Sequence, residues 1–125
     1  MRTFSFKDIV AWQKAYEFTL LVYRVTEKFP DFEKYGLRSQ FTRAAVSIPA
    51  NIAEGYKKLS KADKLRFLNI SQGSLEECRC YIMLSKDLHY ISLEEAQLLE
   101  DKIEGASCFI NAYIKGIINN SAIQD

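Results

Sequence analysis

Glycine and proline are scarce, with five and two in 125 residues. A fold of many short strands needs turn residues every few positions, so an all-β sandwich or barrel is disfavoured. Excess charge of either sign is also missing. Seventeen basic residues face sixteen acidic ones, for a net charge of +1, so no global field draws the chain to nucleic acid or an anionic membrane. Histidine occurs once, at His89, and the three cysteines, Cys78, Cys80 and Cys108, include no CxxC pair. On a helix Cys78 and Cys80 would point about 200° apart and could not share a metal. No metal site is expected, and the thiols fit structural residues in a reducing compartment. There is no Gly-rich phosphate loop, so no nucleotide cofactor is expected. No apolar run approaches a membrane span. The residues Met1 to Lys7 lack the apolar stretch of a secretory signal, and a cytoplasmic location is expected. No nucleophile, base or metal set stands at a telling spacing, so the chain does not read as an enzyme.

Hydrophobic residues make up 48% of the chain, enough for one domain, residues 1–125, to build a core without disulfides. Four segments repeat apolar residues at helical spacing. The pattern predicts an all-α, antiparallel, up-down-up-down four-helix bundle, with helices at about 6–28, 37–57, 61–89 and 93–118. Ser5 with Asp8, Ser60 with Asp63, and Ser92 with Glu95 read as the caps of the first, third and fourth helices. Phe29-Pro30 stops the first, since a residue before proline is pushed out of the α region. Helix one carries two apolar rows, one of Trp12, Tyr16, Leu20 and Tyr23, the other of Ala11, Ala15, Phe18, Val22 and Val25. A single core needs a narrower stripe, so the surplus predicts a second contact surface. Helix three has a seam of Phe67, Ser71, Ser74, Cys78, Tyr81, Ser85 and Leu88. Small residues there allow a close neighbour, and Gly73 predicts a close backbone contact.

The organising stretch is Leu37 to Gly55. Between Ser39 and Ala53 its single charge is Arg43. Pro49 sits inside the helical pattern, lacks an N–H and crowds the carbonyl of Ala45, so a kink is expected. Arg43, Ser47, Asn51 and Glu54 form a polar row. With Ser74 and Glu77 of helix three they are expected to make a buried hydrogen-bond network that fixes register. The other reading of the same residues is a recognition pocket.

Several runs resemble a known family. They are Ala11-Trp12-Gln13-Lys14-Ala15, Tyr35-Gly36-Leu37-Arg38-Ser39-Gln40, the run from Arg43 to Gly55 with Ser47-Ile48-Pro49-Ala50-Asn51-Ile52-Ala53-Glu54-Gly55 at its centre, and Gln72-Gly73-Ser74-Leu75-Glu76-Glu77. The chain is similar to the small bacterial four-helix-bundle proteins whose first members are encoded in intervening sequences of 23S ribosomal RNA genes. The resemblance covers about Phe6 to Ile118. It implies assembly as a homopentameric ring, and kinship with the accessory variability protein of diversity-generating retroelements, a basic pentameric barrel that binds nucleic acid and a reverse transcriptase. It implies no catalytic residues. This chain, with balanced charge, departs from that basic relative.

One local basic cluster remains, made of Lys57, Lys58, Lys61, Lys64 and Arg66 around the joint between helices two and three. It could neutralise phosphates or be a solvated helix end. The leading functional reading is a non-enzymatic, ring-forming interaction protein that binds RNA or an RNA-linked protein. The alternative is a structural or protein-partner adaptor without nucleic-acid contact.

Overall fold

The structure, a computed structural model, describes residues 5–120. It is a four-helix bundle, with no strand among the described residues. The helices are α1 (Val10–Thr26), α2 (Leu37–Lys57), α3 (Lys61–Asp87) and α4 (Leu93–Asn119), with 3₁₀ turns at Phe6–Asp8 and Asp31–Glu33. Each helix packs on its neighbours in sequence, and α4 closes on α1. The core is one cluster drawn from all four helices, with Phe18, Phe41, Ile48, Ile52, Leu99, Ile103 and Ile110 fully buried.

The first helix starts later than its sequence pattern predicts. Ser5 does cap a turn: it accepts the Lys7 N–H at 3.1 Å and donates its own N–H to Asp8 at 3.2 Å. That turn is 3₁₀, and Ile9 then leaves the helical region (φ −79°, ψ 118°) before α1 begins at Val10. The caps at Ser60 and Ser92 form as expected, accepting the N–H groups of Asp63 at 3.1 Å and Glu95 at 3.0 Å.

Helix α3 ends two residues earlier than the pattern suggests, and the reason is a Schellman motif. The His89 N–H donates to the Lys86 carbonyl at 3.0 Å, and the Tyr90 N–H to the Ser85 carbonyl at 2.9 Å. The motif needs a left-handed residue after the cap. His89 fills that place with φ 61°, the one non-glycine residue of positive φ among the described residues. The Tyr90 ring then packs on Phe29, centroids 5.2 Å apart, and its hydroxyl donates to Glu33 at 2.8 Å. The other Glu33 oxygen accepts the Leu37 N–H at 2.9 Å and so caps α2. These two bonds, the backbone one first, hold the Glu33 carboxyl below the usual carboxylate range. A Cβ on Gly36 would lie 2.6 Å from the same carboxylate, so glycine leaves room for the cap.

Helix α2 depends on its neighbours at Pro49. Proline cannot donate to the Ala45 carbonyl one turn back, and Ala45 is wholly buried. The hydroxyl of Thr19 on α1 reaches that carbonyl at 2.9 Å, and is also 2.9 Å from the carbonyl of Ala15. From the other side, Ser71 of α3 donates to the Ile48 carbonyl at 2.8 Å. The close approach of α2 and α3 lies at Gly55 and not at Gly73. A Cβ on Gly55 would meet the Phe67 Cβ at 3.2 Å and the Lys64 carbonyl at 3.4 Å, whereas one on Gly73 would meet nothing within 4 Å.

Thr19→Val leaves the Ala45 carbonyl buried and unpaired, and is expected to cost about 1–3 kcal/mol in urea unfolding. In a Pro49→Ala background the restored N–H supplies the missing donor, so the same change should cost less than about 1 kcal/mol. Equal costs in both backgrounds would mean that the hydroxyl does not serve the proline. His89→Gly removes a left-handed penalty of about 1–2 kcal/mol against a smaller loss of chain entropy. The variant should unfold at higher denaturant than the parent; a lower midpoint would show that the His89 side chain contributes to the fold.

Candidate interaction surfaces

The polar row of α2 meets α3 in a groove of about 310 Å³ lined by Gln40, Arg43, Ala44, Ser47, Ser74, Glu77 and Tyr81. Its floor is a short chain of hydrogen bonds. The buried Ser74 hydroxyl and the Ser47 hydroxyl are 2.8 Å apart. The Asn51 amide donates to the Ser47 hydroxyl at 2.9 Å and to the Ser47 carbonyl at 2.8 Å. One bond joins two hydroxyls, so one hydroxyl proton remains free to donate whichever way that bond points. At the far end the Tyr81 hydroxyl lies 3.1 Å from Gln40 Oε1 and 3.3 Å from Glu77 Oε2. Burial, and then the Glu77 charge, push the Tyr81 phenol above the ordinary tyrosine range.

Of the six residues predicted to form the network, the structure joins Ser47, Asn51 and Ser74 directly. Arg43 and Glu77 share the groove but make no ion pair with each other. Arg43 is exposed and, among the described residues, has no hydrogen-bond or ion-pair partner. Glu54 stands apart, with Lys58 at 3.8 Å. Gln40 and Tyr81 complete the groove. Neither belongs to the predicted set, because the polar row takes its steps from Arg43 and Tyr81 falls in the small-residue seam of helix three. The outer half of that seam is in fact open, with Phe67 and Tyr81 half-buried and Leu88 exposed.

The basic joint is built into the fold. Lys64 donates to the Tyr56 carbonyl at 2.8 Å and Lys61 to the Ile118 carbonyl at 2.9 Å. Both carbonyls lie in a last helical turn, where the macrodipole favours a cation. Burial holds the Lys64 ammonium below the usual lysine range. Lys58 and Arg66 approach the Phe67 ring at 4.8 and 4.7 Å, and Arg66 also lies 3.5 Å from Asp63. Lys57 is exposed, 5.9 Å from the Tyr56 ring.

The third surface is the outer row of α1. Tyr16, Leu20 and Tyr23 are 45–47% exposed, and Val46 of α2 is 40% exposed. Trp12 stacks on Tyr16, centroids 4.8 Å apart. The inner row of Ala11, Ala15, Phe18, Val22 and Val25 fills the core. Cys78 is buried and its thiol is pushed up to about 12, chiefly by desolvation; Cys80 and Cys108 are exposed. Among the described residues no three His, Cys, Asp or Glu side chains could hold a metal ion, and no helix is long and apolar enough to cross a membrane.

Ser47→Ala removes the oxygen shared by Asn51 and Ser74. It should cost about 1–3 kcal/mol, more than Ser39→Ala on the same helix, when denaturant midpoints are compared. An unchanged midpoint would show that water replaces these bonds without loss.

Comparison with known proteins agrees with this architecture. A crystal structure of a protein of unknown function from the S23 ribosomal protein family of Bacteroides thetaiotaomicron superimposes with a TM-score of 0.78. The two are 25% identical, over 87% of this chain and 98% of that one. No curated protein matches the sequence. The family model for the 23S rRNA-intervening sequence protein matches residues 7–112. With that match running from before α1, through the proline-bearing α2, into α4, the chain belongs to the 23S rRNA-intervening sequence protein family.

Proposed function

We propose that the protein is a non-enzymatic interaction module that works as a homo-oligomeric ring, a pentamer by resemblance to its family. The observation that carries this reading is the uncharged row of Tyr16, Leu20 and Tyr23 on α1, each half exposed. A helix facing water normally presents charge there, and contiguous apolar surface marks a contact site. The reading takes successive helices as antiparallel and α2 as bent at Pro49. In support, Lys64, Ser71, Ser74 and Tyr81 of α3 bond in turn to Tyr56, Ile48, Ser47 and Gln40 of α2. Leu20→Glu with Tyr23→Glu should cut the mass measured by light scattering while leaving helical circular dichroism unchanged. If the doubly substituted chain keeps the parent's mass, this row is not the contact.

A second reading, weak and sequence-tolerant RNA binding at the α2–α3 joint, is favoured by outward cations close to aromatic rings, Lys57 by Tyr56 and Arg66 by Phe67. Because Lys61 and Lys64 hold helix ends, the informative variant is Lys57→Glu, Lys58→Glu and Arg66→Glu together. RNA retention by the parent should fall steeply with salt as counterion release is lost, and the variant should retain none at low salt. A parent that retains no RNA at low salt leaves the adaptor role.

A further inference from the structure

Arg43 and Glu77 stand in one groove without an ion pair between them, so the groove offers a cation and an anion that no charged side chain among the described residues neutralises. Arg43 presents a planar fork suited to a carboxylate, and Glu77 has acceptor capacity beyond the Tyr81 hydroxyl. Along α3 the helical spacing puts Ile70, Gly73 and Leu84 on one outer row with Glu77, which lines the groove. Ile70 and Leu84 are 43% and 42% exposed. Gly73 is exposed in the middle of the helix, where glycine costs about 1 kcal/mol against alanine, and no neighbour within the chain fills the space a Cβ would take. Gly105 of α4 is equally open and borders a groove, but Lys14 and Lys102 stand there with Glu17 and Asp101, so charge is matched on the spot.

The outer row of α1 carries the complement. Tyr16, Leu20, Tyr23 and Glu27 follow at steps of four, three and four. Glu27 is exposed, and neither its carboxylate nor the Tyr23 hydroxyl has a partner among the described residues. The two lie one turn apart, about 6 Å along the axis, an acid and a hydroxyl donor on one face, complementary to the arginine and glutamate of the groove. We infer that the α2–α3 groove receives the outer row of α1 from a second copy of the chain. The partner's Glu27 meets Arg43, the partner's Tyr23 hydroxyl meets Glu77, and Gly73 leaves room for the incoming side chains. Each copy thus offers two different faces, a head-to-tail contact that closes into a ring when the rotation permits. This rests on the assembly reading above and gives it a specific contact.

The test is a charge exchange on the intact chain. Arg43→Glu and Glu27→Arg each place like charges in the contact, and each should weaken association about tenfold or more by sedimentation. The double variant restores an opposite pair and should regain the parent's mass. Gly73→Trp, in open space within the chain, should fold normally by circular dichroism and lose the assembly. If the parent assembles but the single exchanges and Gly73→Trp keep its mass, this contact is wrong while the assembly reading stands. Failure of the double variant to recover likewise overturns the pairing. A parent that sediments as one chain overturns both.

Discussion

A buried carbonyl without a donor costs free energy that a small bundle can ill spare, and Pro49 creates one at Ala45. The Thr19 hydroxyl on α1 answers it, while on the opposite flank Ser71 and Ser74 of α3 take up the Ile48 carbonyl and the Ser47 hydroxyl. The proline's requirement is met from α1, and α3 adds hydroxyl bonds of its own. Each must bring a small hydroxyl residue to a defined level of α2, which fixes register more strictly than apolar contact would. A leucine at position 71 or 74 would lose the corresponding bond to α2. Gly55 extends the close approach to the end of α2.

With the inner faces committed in this way, the outer faces carry what remains. On α1 an apolar row continues into Glu27, an acid without a partner among the described residues. Between α2 and α3, Arg43, likewise unpartnered among the described residues, shares a groove with Glu77. Two cations of the basic joint, Lys61 and Lys64, hold helix ends through terminal carbonyls. Polar side chains in this chain therefore fall into two groups. Thr19, Ser47, Asn51, Ser71 and Ser74 hydrogen-bond within the bundle, and the exposed Arg43 and Glu27 have no partner among the described residues.

Much of the fold was legible because its signals are local. Helical spacing, the Ser60 and Ser92 caps and the Phe29-Pro30 stop each act within a few residues, and the structure follows them. The misses are places where a distant group decides. The extended Ile9 is not visible in an apolar pattern that runs through it. The early end of α3 depends on His89 adopting a conformation usually left to glycine, supported by Tyr90 packing on Phe29 and bonding Glu33. Gly73 and Gly55 look equivalent in sequence, but only Gly55 faces a neighbour in the chain. Of the polar row, Ser47 and Asn51 could be placed by their spacing, whereas the outward turn of Glu54 toward Lys58 depends on the short joint that follows. The roles of Lys61 and Lys64 were hidden because the carbonyls they hold come from other helices.

The central claim is that the outer row of α1 is covered by another copy of the chain. Native mass spectrometry of the unmodified protein at micromolar concentration tests it most directly. The account predicts a single closed species at five times the 14.4 kDa chain, without a ladder of smaller assemblies. A spectrum containing only the 14.4 kDa chain would contradict it.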